Sequence, residues 1–114
     1  MATEKRIKIL TETEISELFG PPTLNSNDQR FFFALNDAEL AECKRIRERD
    51  HRCMFVVLLG YFKVKPIVLS PGYHQIKQDL KYVCSEVIPG PGLRPFNLTQ
   101  KTRVRIYQRI FKLT

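Results

Sequence analysis

Signals that start and stop α-helices recur along this chain of 114 residues and constrain its fold more than any other feature. Thr11 with Glu14, and Asn36 with Glu39, have the spacing of a capping box, in which each side chain accepts a hydrogen bond from the other residue's backbone amide. Gly20, followed by two prolines, ends the first of these segments, because proline cannot continue a helix. The pattern predicts an all-α fold of about five or six short helices in one compact domain.

We expect three short helices before residue 50. The first covers residues 12–19. The second begins at Asn25 or Ser26 and leads into the phenylalanines at 31–33, whose rings are predicted to be core because they are too apolar to leave in water. The third begins after Asn36. Its apolar stripe repeats every three residues: Leu40, Cys43 and Ile46.

The longest apolar run covers residues 53–62, between Arg52 and Lys63. It is about half as long as a bilayer-spanning helix, so no membrane span is expected, and the N-terminus has no signal peptide, which favours the cytoplasm. The run is compatible with a buried helix or a buried strand. We favour a helix, because the neighbouring segments all have helical patterns.

Two more helices are expected after this run. Ser70 and Pro71 have the order of an N-cap followed by proline at the first helical position, and this helix ends before Pro89. Residues 88–95 contain three prolines and two glycines, which predicts a connection that is either flexible or rigid but has no regular structure. The last helix begins near Thr99. Its predicted apolar face consists of Val104, Tyr107, Ile110 and Phe111.

The sequence lacks the patterns that indicate catalysis or metal binding. Its three cysteines and two histidines do not have the paired spacing of a structural zinc site, and an odd number of separated cysteines predicts reduced thiols. A cysteine–histidine nucleophilic pair is a weaker alternative, since no family signature surrounds any cysteine. No glycine-rich phosphate loop follows a strand. We therefore expect no metal, no cofactor and no enzymatic activity in this chain.

Basic residues dominate the charged surface, since 19 Lys and Arg oppose 12 Asp and Glu and leave a formal charge of +7. Such an excess favours a polyanionic partner, because Lys and Arg release counterions when they bind phosphates. Two amphipathic segments concentrate the charge: one has Arg45, Arg49 and Arg52 on the side opposite its apolar stripe, and the other is the last helix. The candidate DNA-binding residues are Lys44, Arg45, Arg49, Arg52, Lys101, Arg105, Arg109 and Lys112.

Residues 32–62 resemble the N-terminal domain of the Tn-three family of replicative transposases. The opening Phe-x-Leu is matched by Phe33 and Leu35, and the acidic helix start by Asp37 and Leu40. The basic stretch covers residues 45–52 and the apolar helix residues 55–59. The Gly-x-Phe ending is matched by Gly60 and Phe62. The family's first helix is similar to the upstream segment LTETEISELFGPPT. A Tyr- and Arg-rich helix of the family is similar to the segment LTQKTRVRIYQRIF of this chain, in which Thr102 and Arg103 fit a Thr-Arg pair.

This resemblance implies that residues 1–114 are one helical DNA-binding domain at the N-terminus of a longer bacterial transposase. Double-stranded DNA at the terminal inverted repeats of the transposon would be the partner. The remainder of the transposase chain would carry the acidic triad that binds metal and cuts DNA, and the full-length protein would be a candidate homodimer. The residues leave a second possibility open, a helical protein-interaction module that docks through its last helix without DNA contact.

Arg103 is predicted to have a structural role instead. On a helical wheel it falls within the apolar face of the last helix, next to Val104, Tyr107 and Ile110. A buried guanidinium must be paired or it costs several kcal/mol, so we predict a carboxylate or carbonyl partner from another helix. The alternative is that its stem packs on the protein while its head reaches water.

Overall fold

A computed structural model of the chain describes residues 21–69, 71–93, 96 and 98–113. Every regular element in these residues is helical. The elements are α1 (Ser26–Phe32), α2 (Asp37–Lys44), α3 (Arg49–Val64), α4 (Tyr73–Tyr82), a π-helical turn (Val83–Val87) and α5 (Gln100–Lys112). The predicted all-α fold is confirmed. The predicted helix over 12–19, with its Thr11–Glu14 capping box, lies outside the described residues.

Helix α3 is the centre of the domain and contains the apolar run. Its side chains from Cys53 to Tyr61 are all buried, and α1, α2, α4 and α5 all pack against it. Because neighbours surround it, the run from Cys53 to Tyr61 is apolar on every face, and periodicity could not separate helix from strand. The interpretation as a helix is confirmed. None of the described helices combines the length and the apolar character needed to cross a bilayer.

Capping residues set the starts of three helices, as predicted. Asn25 and Asn36 each form a capping box at the starts of α1 and α2. At the start of α5, the Thr99 hydroxyl accepts a hydrogen bond from the Thr102 amide at 3.1 Å. These contacts are local in sequence, which is why the residue pattern alone predicts them.

The start of α4 differs from the prediction. Gly72 is its N-cap, and the Gly72 amide donates a hydrogen bond to the Gln75 side chain at 2.7 Å. Pro71 therefore precedes the helix and does not occupy its first turn. The glutamine side chain supplies the cap that we had assigned to Ser70.

The basic segment after α2 is not one continuous helix. Residues 45–48 connect α2 to α3, which begins at Arg49. Within this connection Ile46 is buried, with only 7% of its surface exposed, so core packing holds the chain where the helix is interrupted. The prediction that Arg45, Arg49 and Arg52 share one helix face is wrong for this reason.

Several apolar side chains that were predicted to be core are exposed. They are Phe31, Leu40, Val104 and Phe111. Helix α1 is short and has no buried residue of its own, and Phe33, which follows it as the C-cap, is fully buried in the core. Helix α5 packs on α3 along a face that is shifted from the predicted one. The buried residues of α5 are Ile106, Tyr107 and Ile110.

Hydrogen bonds between side chains join α1, α3 and α4 through the core. The Tyr61 hydroxyl donates to one oxygen of Asp79, and the Gln29 amide donates to the other at 2.8 Å. Both Tyr61 and Asp79 are buried, so these donors replace the water that the carboxylate loses on folding.

Candidate nucleic-acid interface

A cleft of about 570 Å³ lies between the α2–α3 connection and helix α5. We call it the basic cleft, because four arginines and a histidine line it with one glutamate, one threonine and two isoleucines. Its residues are Arg45, Ile46, Arg47, Glu48, His51, Thr102, Arg105, Ile106 and Arg109. Segments that are distant in sequence form its two sides, so the tertiary fold brings the two predicted basic segments together.

Glu42 of α2 holds basic side chains from both sides of the cleft around one buried carboxylate. Arg109 donates a hydrogen bond to it at 2.7 Å, and Lys112 Nζ and Arg45 Nη1 lie 3.6 and 3.7 Å from its oxygens. Burial opposes ionisation, but the Arg109 hydrogen bond and the charges of Lys112, Arg109 and Arg45 outweigh it and lower the pKa of Glu42. An ionised Glu42 therefore positions the three cations.

Two arginines of the predicted DNA-binding set instead hold the protein's own backbone. Arg49 donates from Nη2 to the carbonyls of Pro91 at 3.0 Å and Cys84 at 3.3 Å. Arg52 donates from Nε to the carbonyl of Ile46 at 2.5 Å. Neither lines the basic cleft. Arg49 thus ties the proline- and glycine-rich segment to α3, and Arg52 fixes the α2–α3 connection.

The predicted lysines lie around the cleft but do not line it. Lys101 is exposed on α5, one turn before Arg105, and Lys112 approaches Glu42. Lys44 is exposed at the end of α2. The structure thus brings Arg45, Arg105 and Arg109 of the predicted set into one cleft. For every member of the set a DNA-binding role stays a prediction.

Arg103 is half-buried and has a carbonyl partner. Its Nη2 donates to the carbonyl of Leu98 at 3.3 Å. The prediction of a partner from another helix is wrong, because the carbonyl belongs to Leu98, which immediately precedes α5. The reason is geometric, since side chains on a helix lean towards its N-terminus.

The set of candidate residues omitted four polar residues that line the cleft: Arg47, Glu48, His51 and Thr102. Arg47 lies in the connection after α2, where a helical wheel drawn for a continuous helix gives the wrong direction. The only sequence signal for it was the density of arginine over 45–52. His51 and Thr102 become neighbours only when α5 packs on α3.

The lining of the cleft is suited to contact phosphate groups. Guanidinium groups offer paired N–H donors that match phosphate oxygens, and they stay charged at all physiological pH values. The described lining residues include no Phe, Tyr or Trp, and the imidazole of His51 is the one aromatic ring among them. Ile46 and Ile106 form the apolar part of the lining. The chemistry therefore favours a phosphodiester backbone over exposed bases.

At one edge of the cleft, Glu48, Asp50 and His51 bring three potential metal-ligand atoms within 4.8 Å of one another. His51 Nδ1 lies 2.9 Å from a Glu48 oxygen, and Asp50 accepts a hydrogen bond from the His51 amide. Carboxylates are favourable at this position because it is the N-terminus of α3. The cleft arginines oppose a cation there. We assign no metal to this group.

These features define the chain as a small all-α domain with a basic cleft. The family described as Domain of unknown function (DUF4158) matches residues 9–114, and the chain belongs to this family. No curated protein and no solved structure matches the chain.

Proposed function

We propose that this chain is a DNA-binding module of a Tn-three family transposase and that the basic cleft contacts the phosphate backbone of the transposon's terminal inverted repeats. The observation that carries the proposal is the gathering of four arginines from two distant segments: Arg45, Arg47, Arg105 and Arg109. Phosphate contacts by such residues supply most of the sequence-independent affinity for duplex DNA. The transposase itself is inferred from the resemblance of the sequence.

Duplex DNA fits this cleft better than single-stranded nucleic acid does. Proteins that bind single strands combine a basic groove with aromatic side chains on which bases stack. The described residues of the cleft supply the charge but include no Phe, Tyr or Trp, and His51 has the one ring among them. In the proposed function this chain positions DNA, and catalysis belongs to the remainder of a longer chain, with a homodimer as a further proposal for the full-length protein.

Fluorescence anisotropy with two labelled duplexes tests the proposal. One carries the terminal inverted repeat of the element that encodes the chain, and the other is a scrambled sequence of the same composition. The cleft arginines with Lys101 would make about five phosphate contacts, so log affinity should fall against log salt with a slope of roughly 4 to 5. Binding that is absent, or that does not respond to salt, would overturn the proposal.

Charge reversal within the cleft separates phosphate contact from net charge. Arg47→Glu and Arg105→Glu change exposed side chains that form no described ion pair with Glu42, and each should weaken binding and reduce the salt slope by about 1. Lys77→Glu is the matched control, since it alters the charge equally on α4, outside the cleft. An equal loss in this control would assign binding to net charge alone. Arg109 is a poor target, because its reversal would place two carboxylates together.

The outer edge of α5 favours a second candidate function, protein docking. Val104 and Phe111, seven residues apart on the same side of the helix, are each 47% exposed. An apolar docking surface would respond weakly to ionic strength, unlike the cleft. The salt series therefore distinguishes the two functions.

A further inference from the structure

Two buried cysteines lie in contact on different elements of the fold. Cys53 is in the first part of α3 and Cys84 is in the π-helical turn, and their sulfur atoms are 3.7 Å apart although 31 positions separate them in the sequence. Both are free thiols. We propose that Cys53 and Cys84 form an oxidation site, which a hydroperoxide converts into a disulfide that links α3 to the π-helical turn. This inference is independent of DNA binding.

A second cleft reaches one of the two cysteines. This cleft has a volume of about 400 Å³ and lies between α4 and the proline- and glycine-rich segment. Cys84 lines it, together with Lys77, Leu80 and Gly90. Cys53 does not line it and has no exposed surface. A small oxidant therefore meets Cys84 first.

The surroundings of the two thiols assign them different roles. Burial, followed by the influence of the neighbouring Cys84, raises the pKa of Cys53 to about 12. A raised pKa disfavours the thiolate, which is the reactive form. Cys84, which lines the second cleft, is the attacking residue, and Cys53, which has no exposed surface, is the resolving residue that completes the disulfide.

The reaction balances in two steps. The Cys84 sulfur attacks one oxygen of the hydroperoxide, so that an S–O bond forms, the O–O bond breaks, and the departing oxygen takes the Cys84 thiol proton and leaves as an alcohol or water. Cys84 is now a sulfenic acid, oxidised by two electrons. The Cys53 sulfur then attacks the Cys84 sulfur. The S–S bond forms, the S–O bond breaks, and the Cys53 proton leaves with the hydroxide as water.

Existing contacts hold both reaction partners in place. The π-helical turn is closed by a hydrogen bond from the Ile88 amide to the Val83 carbonyl at 2.8 Å. Arg49, one turn before Cys53 on α3, donates to the Cys84 carbonyl at 3.3 Å. The backbones of the two cysteines are thus tied together before any oxidation. A disulfide sulfur pair is about 2.05 Å apart, so the two sulfurs, now 3.7 Å apart, must approach each other to close the bond.

Peptide mapping of the purified chain after hydrogen peroxide treatment tests the proposal. Free thiols are alkylated and the protein is digested with trypsin without reduction, which places the three cysteines in separate peptides, 31–44, 53–63 and 82–101. We expect peptides 53–63 and 82–101 to be joined while Cys43 is alkylated. The melting temperature of the oxidised protein should rise by several degrees and return after reduction, because the bond closes a 31-residue loop.

Two variants provide controls. Cys43→Ala removes the third buried thiol and should retain the cross-link. Cys53→Ala removes the resolving residue and should leave Cys84 as a sulfenic acid that dimedone labels. The proposal is wrong if the natively folded wild-type protein, checked by circular dichroism, forms no cross-link, or if the link involves Cys43. The peptide map of the oxidised wild-type protein tests the proposal even if a variant fails to fold.

Discussion

Glu42 shows how one residue couples the fold to the charge of the cleft. Its pKa is held below the ordinary 4.5, so its ionised form stabilises the folded state fully above that value and ceases to do so as the pH falls through the lower folded pKa. Glu42→Gln removes the charge that the three cations contact and should lower the free energy of unfolding by about 1 to 2 kcal/mol at pH 7. The loss is modest because the partner side chains reach solvent, which screens the pairing.

Urea unfolding of wild type and Glu42→Gln at several pH values measures this effect. The difference between the two proteins should shrink as the pH falls below about 4.5. Glu86→Gln, at an exposed position of the π-helical turn, is the control and should differ little from wild type at any pH. A difference for Glu42→Gln that is the same at pH 7 and pH 3 would contradict the ionised pairing.

Tyr107 is a second residue whose substitution should lower the stability of the fold. Its buried hydroxyl accepts a hydrogen bond from the Leu69 amide at 2.8 Å and donates one to the Leu69 carbonyl at 3.0 Å. Tyr107→Phe leaves both backbone groups without these partners and should cost about 1 to 3 kcal/mol in chemical denaturation. Tyr82→Phe is a matched control, because the half-buried Tyr82 hydroxyl bonds to no described residue. Equal losses in the two variants would refute this account.

At the scale of elements, the packing of α1 on α3 depends on Gly60. A Cβ atom there would overlap the ring of Phe33, which is fully buried and packs against Tyr61 and Tyr82. Gly60→Ala should therefore destabilise the protein by about 1 to 3 kcal/mol, even though alanine favours a helix by up to about 1 kcal/mol.

Thermal unfolding of Gly60→Ala tests this packing. Gly92→Ala is the control, since no described atom lies within 4 Å of the position of its new Cβ. We expect a lower melting temperature for Gly60→Ala and little change for Gly92→Ala. An unchanged or higher melting temperature for Gly60→Ala would mean that the Phe33 ring can move aside.

The elements also show which features a sequence can predict. The capped starts of α1, α2 and α5 were predicted, because capping contacts join residues close in sequence. The interruption after α2 was missed, since it depends on the burial of Ile46 by distant parts of the chain. The start of α4 was misplaced because Gln75, and not a residue of the preferred capping types, provides the side-chain bond.

At the scale of the whole molecule, the sequence predicted two basic segments but not the cleft that they form. Arg45 and Arg105 were candidates on separate helices, and only the packing of α5 against α3 brings them to one surface. Arg47 also lines the cleft, whereas Arg49 is directed away from it to the carbonyls of Cys84 and Pro91. Residue type and spacing thus predicted the charge and the fold class, whereas the direction of each guanidinium required the tertiary structure.

The contact between Arg109 and Glu42 has a consequence for the kinetics of any anion that enters the cleft. A flexible arginine loses rotamer entropy when it is immobilised, at a cost of about 0.5 to 1.5 kcal/mol per side chain on binding. Glu42 engages Nη1 of Arg109 already in the free protein, so most of this ordering takes place during folding. The guanidinium keeps its other N–H donors for the ligand. Loss of the carboxylate should therefore act mainly on the lifetime of a complex, while its rate of formation follows the overall charge.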